Sequence, residues 1–173
     1  MSSNYKHWQK LFLFCLGLTI GTAICMKLLE ADFLVNGQKF TIIGLEITDS
    51  RERVVAIISG MNEHVKAILR YQLYFDFAFM AGVYPGIAAL LMMAREKINN
   101  VFIKKILLVL ALLQIVAWGC DIAENRYLLT WIKSPVIGNE FKVYHLIVYS
   151  KWLIALLGAL IAIPLVIKRK KQV

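Results

Sequence analysis

Asp76, Tyr84, Trp118, Asp121, Glu124, Asn125, His145 and Lys151 are the side chains of this 173-residue sequence whose types and spacing could do chemistry. All lie within or at the ends of long apolar runs. Residues 114–127 show the pattern: QIVAWGCDIAENRY begins as pure hydrocarbon and then places Asp121, Glu124, Asn125 and Arg126 close together. One charged side chain at the middle of a membrane helix costs roughly 2.5–3.5 kcal/mol, and less near the interface. Three carboxylates in such surroundings must therefore be paired, protonated or bound to a cation. Lys151 and Arg126 are the expected partners, with Lys27 and Arg70 at the rim.

Helical spacing sorts these residues. Gln114, Trp118, Asp121 and Asn125 share one face, with Glu124 beside it. Lys151 shares a face with the small residues Ala155, Gly158 and Ala162, which directs the lysine toward protein. His145, Tyr149 and Trp152 form a neighbouring face, and Asp76 stands beside Gln72, Phe79 and Val83. Three chemistries are open to the set. It can bind an amphiphile whose polar head meets the carboxylates; it can act as a carboxylate general acid or base; or it can lock helix register by ion pairing. A metal site is a poor fit, because no Glu-x-x-His pair is present and carboxylates alone fix no geometry. Phosphate-cradling loops, nucleophile elbows and C-x-x-C pairs are absent from the sequence, and no cofactor is implied. Cys25 and Cys120 could approach each other near one surface, but inert packing is the default for all three cysteines.

The elements that must position these groups follow from composition. With 60% hydrophobic and 18% charged residues and a mean hydropathy of +0.66, the chain is too apolar for a water-soluble domain. Four windows, about 8–28, 71–93, 106–125 and 143–167, are each long enough for a helix to cross roughly 30 Å of hydrocarbon. The runs are continuous rather than alternating, which argues against a barrel. The first window lacks a convincing cleavage site and reads as a retained anchor. The expected fold is all-α, a polytopic four-transmembrane-helix bundle forming one membrane domain over 1–173.

Basic residues set the orientation. Lys6, Lys10, Arg95, Lys97, Lys104, Lys105, Lys168, Arg169, Lys170 and Lys171 flank one side against the single acid Glu96. That bias puts both termini in the cytoplasm of a cell inner (cytoplasmic) membrane, and makes the net charge of +9 an orientation signal and a handle on anionic lipid. Nucleic acid is not an expected partner.

Residues 29–70 should form an extracytoplasmic cap. Asn36-Gly37 between β-favouring residues signals a short hairpin. Asp49 with Glu52 resembles a capping box, followed by the amphipathic positions Val54, Ile57, Ile58 and Met61. Val65, Ile68, Leu69 and Gln72 carry a helical period onward into the second apolar window. Gly17/Gly21 and Gly82/Gly86 make GxxxG pairs that should face protein, and a homo-oligomer through one such stripe fits the same spacing. Pro85 should kink the second window. Tyr71, Tyr74, Tyr127, Trp131, Tyr144 and Trp152 read as an interfacial aromatic belt.

Asp76-Phe77-x-Phe79 followed by Tyr84, and Asp121-x-x-Glu124-Asn125, resemble motifs in a group of uncharacterised small bacterial four-helix membrane proteins, over about residues 45–165. The resemblance implies no activity. It implies that Asp76, Tyr84, Asp121, Glu124 and Asn125 belong to one constellation. Two functions are expected from the sequence. The first is non-catalytic: binding of a lipid-like or small ligand at a buried acidic site in the outer leaflet, or service as an accessory subunit of a membrane assembly. The alternative is a small intramembrane enzyme acting on a lipid or isoprenoid head group.

Overall fold

The computed structural model describes residues 3–168. Arg169, Lys170 and Lys171 of the basic set lie outside the described residues. Among these described residues the regular structure is helical apart from one hairpin of two-residue strands, and four helices are long and apolar enough to cross a membrane.

Helix α1 (Ser3–Leu29) ends in a 3-10 turn (Glu30–Asp32) and leads to strands β1 (Leu34–Val35) and β2 (Gln38–Lys39). These pair antiparallel around Asn36 and Gly37, whose φ values of 50° and 77° are those of a tight primed turn. Helix α2 (Ile42–Glu46) starts at Thr41, whose hydroxyl accepts from Gly44 N, and α3 spans Arg51–Gly60. The N-cap of α3 is Ser50, not Asp49: Ser50 Oγ accepts from Arg53 N at 3.1 Å, while Asp49 turns toward His145 and Tyr149. The expected capping box is therefore not formed.

Helix α4 (Glu63–Lys97) begins at Asn62, whose side chain accepts from Val65 N, and runs unbroken through Pro85. It is longer than its apolar window because Val65, Ile68 and Leu69 continue the same buried face. Helix α5 (Val101–Lys133) is capped by Asn100, which accepts from Phe102 N and Ile103 N, and α6 covers Glu140–Ile167.

Helices α4, α5 and α6 pack mutually, whereas α1 packs chiefly on α4. The small-residue expectation divides accordingly. Gly82 and Gly86 of α4 do face α1: a Cβ at Gly82 would lie 2.6 Å from Thr19 Oγ1 and 2.9 Å from Thr19 N, and one at Gly86 would lie 3.2 Å from Cys15 Cβ. Gly17 and Gly21, in contrast, meet nothing within 4 Å among the described residues. The reason is rotational: Gly17 sits about 200° around the helix from Cys15, which is 2% exposed against α4. On α6, Gly158 receives Gln114, with Ile87 and Leu91 alongside.

The largest apolar core lies where α2 and α3 meet the N-terminal turns of α4 and α6 and the C-terminal turns of α5; Leu45, Val54, Ile58, Leu69, Leu128 and Tyr144 are fully buried in it. Trp131 and Tyr144, read from sequence as interfacial anchors, belong to this core, with ring centroids 4.8 Å apart. Tyr71 and Tyr74 remain exposed. At the opposite end, Lys97 bonds to the Val166 carbonyl and stands 5.7 Å over the Tyr5 ring, which gathers the basic ends of α1, α4 and α6.

Candidate functional site

Lys151 is the hub of a buried polar cluster. Its Nζ donates to Asp121 Oδ1 at 2.6 Å and to Glu46 Oε2 at 3.3 Å, and stands 2.6 Å from Glu124 Oε2 as an ion pair outside hydrogen-bond geometry. Asp121 Oδ2 accepts from the Tyr84 hydroxyl at 2.7 Å. Asn125 Nδ2 donates to Asp76 Oδ2 at 2.8 Å and to the Leu73 carbonyl at 3.3 Å. Lys151, Asp121, Glu124, Asn125, Asp76, Tyr84 and Glu46 are all buried. Six side chains named from sequence thus meet at one level, drawn from α4, α5 and α6.

Two others do not join them. His145 precedes Lys151 by six residues, roughly 240° around the helix. It points instead at the 48–49 turn, with Nε2 2.5 Å from the Thr48 carbonyl and Nδ1 3.5 Å from Asp49 Oδ1. Trp118 lies on the far side of Tyr84, in the wall of a separate apolar cavity of about 300 Å³ with Trp8, Pro85 and Ile115. Arg126 is exposed and pairs with nothing in the cluster, because its position on α5 points away from α4 and α6. Lys27 pairs with Glu30 instead of the buried acids. Cys15, Cys25 and Cys120 are free thiols.

The structure adds residues that the spacing of apolar runs does not reveal. Glu46 reaches Lys151 from α2, outside the long helices. Its carboxyl is held above the usual glutamate value, chiefly by burial, with the Asp121 charge adding to the effect and Lys151 opposing it. The available signal was a glutamate inside the apolar string Ile42-Ile43-Gly44-Leu45-Glu46-Ile47. Gln72 is 2% exposed and its Oε1 has no hydrogen-bond partner. Gln114 donates to the Leu110 and Ile154 carbonyls, joining α5 to α6 below the cluster.

A cavity of about 280 Å³ opens beside the cluster, between α1 and α6, which both pack on α4 and leave a gap between themselves. Glu46, Gln72, Asp76, Tyr84, Asp121 and Lys151 form its polar wall. Ala23, Met26, Phe79, Val83, Trp152 and Ala155 form its apolar wall, and Lys27 and Glu30 stand at one edge. Lys151 is the only cation in the cluster, against four carboxylates. Asp76 has no ion-pair partner among the described residues. No group of three His, Cys, Asp or Glu side chains among the described residues is arranged to hold a metal ion. Comparison with protein families, curated proteins and solved structures gives no match, so the likeness to small four-helix membrane proteins rests on the short motifs alone.

Proposed function

We propose that this is a multi-pass protein of a cytoplasmic-type membrane that binds a small amphiphile in the cavity between α1 and α6. Both termini face the cytoplasm, and residues 30–62 cover the outer end. The observation that carries the reading is the cavity itself. An ion-pair lock needs only Lys151 and its acids packed shut, whereas here Asp76, Asp121 and Lys151 line about 280 Å³ of open space bordered by Phe79, Val83 and Trp152. A polar wall facing an apolar one suits a ligand with a hydrophilic head and a hydrocarbon body.

Purification of the wild type beside Asp121→Asn, followed by native mass spectrometry, tests the proposal. The wild type should carry a bound amphiphile that the folded variant loses. A wild type that carries none, with its cavity closed by its own side chains, would defeat it.

Two features favour companion readings. Asp76 lines the cavity without an ion-pair partner among the described residues, as general acid or base chemistry on a lipid head group requires. Turnover abolished in Asp76→Asn while ligand is still bound would support that version; a bound lipid recovered unchanged from the wild type would count against it. The open Gly17/Gly21 face of α1 is the kind of packing stripe an accessory subunit would use.

A further inference from the structure

Building on the amphiphile-binding reading, we infer that the ligand's head group is a protonated amine carrying N–H donors, held between Asp76 and Gln72. The inference comes from counting donors and acceptors around the cavity. The charged and hydroxyl donors of the cluster are already committed: Lys151 serves Asp121 and Glu46 and pairs with Glu124, and the Tyr84 hydroxyl serves Asp121. The indole N–H of Trp152 and the amide N–H groups of Gln72 stay unengaged. The free capacity beside a carboxylate is on the acceptor side. Gln72 Oε1 is buried without a partner, and Asp76, one turn further along α4, has only the Asn125 amide as a neutral donor. A buried acceptor left unmade is costly, so a guest that donates to Gln72 recovers that loss.

Charge points the same way. Of the four carboxyls, Asp76 alone has no ammonium partner among the described residues, and a cationic guest supplies one where an anion would not. A bare metal ion fits less well. The acids are not grouped to hold one, and Phe79, Val83 and Ala155 offer hydrocarbon where a hydrated ion would need oxygen. A primary alkylammonium satisfies each part of the wall: charge to Asp76, an N–H to Gln72, and its chain along the apolar side toward the gap between α1 and α6. A quaternary ammonium supplies the charge but no N–H, and so leaves Gln72 unpaired.

The test compares four probes with the same chain on the full-length protein in detergent: octylamine, octyltrimethylammonium, 1-octanol and octanoate. Saturable elevation of the unfolding temperature reports binding to the folded state. Octylamine should act at concentrations about tenfold or more below the other three, the loss expected when a hydrogen bond involving a charged group is removed. Asp76→Asn and Gln72→Leu should each weaken octylamine about tenfold, judged against the variant's own unliganded transition. Octanol, octanoate or octyltrimethylammonium acting as strongly as octylamine would overturn the assignment, as would unaltered octylamine binding in both variants. The four-probe comparison on the wild type decides the matter even where a variant fails to fold. Should none of the four bind while the wild type still carries an amphiphile that Asp121→Asn loses, the amine assignment falls and the amphiphile reading stands. Should nothing co-purify and nothing bind, both fall.

Discussion

Glu46 shows what a single side chain contributes when it crosses from a short connecting helix into a buried charge cluster. Its carboxyl sits above the ordinary glutamate value of 4.5, so folding favours the protonated form. Stability from this group is then full below about pH 4.5 and declines as the pH rises through its folded-state value. Glu46→Gln cannot titrate there. Denaturation curves should therefore show wild-type stability falling relative to Glu46→Gln as the pH is raised from 4.5 toward neutrality; a wild type that gains on the variant over that range would contradict the burial argument. Glu46 was hard to find in the sequence for a physical reason. Ion pairs on one helix follow a period, whereas Glu46 and Lys151 are far apart in the chain and meet only because α2 folds back over α6. Asp121 and Lys151 were legible because each interrupts a long hydrocarbon run, and the cost of leaving either unpaired brings them together; Asp76 interrupts such a run too but meets the Asn125 amide, with no ion pair among the described residues. His145 was misplaced by the same reasoning. Depth along the helix was right, but rotation of roughly 240° from Lys151 sends it to the 48–49 turn.

The seam between α1 and α4 separates what small-residue spacing can and cannot tell. Two GxxxG pairs look alike in the sequence, yet Gly82 holds α1 at backbone distance while Gly17 and Gly21 meet none of the other described residues. The spacing marks a smooth stripe; it does not say which helix, if any, lies against it. Gly82→Ala would drive a methyl against the backbone of Thr19 and should cost about 1–3 kcal/mol in a detergent-unfolding titration. Gly17→Ala meets open space and should stay within about 0.5 kcal/mol of wild type. A marked loss from Gly17→Ala would mean that the face is occupied after all. The aromatic residues divide in a similar way: Tyr71 and Tyr74 are exposed as an anchor would be, but Trp131 and Tyr144 close the core beneath α2 and α3, a tertiary choice that residue type does not encode.

At the scale of the molecule, four apolar helices and the hairpin turn at Asn36-Gly37 could be read from the sequence because each is a local pattern. The arrangement of three mutually packed helices with a fourth laid on one of them could not. The proposed orientation is open to a direct check. In a background with Cys15, Cys25 and Cys120 replaced by alanine, Asn36→Cys should react with an impermeant maleimide added to intact cells, and Asn99→Cys should react only after permeabilisation. The reverse pattern would invert the topology and place residues 30–62 in the cytoplasm.

Because α1 touches mainly α4 yet contributes Ala23, Met26 and Lys27 to the cavity, the width of the cavity mouth depends on the tilt of one outlying helix about the Cys15, Thr19, Gly82 and Gly86 contact. The charges lie instead on α4, α5 and α6. For the amphiphile proposed above, fit to different girths would thus be decoupled from the grip on the head, as with a vice whose one jaw slides and whose other jaw carries the teeth.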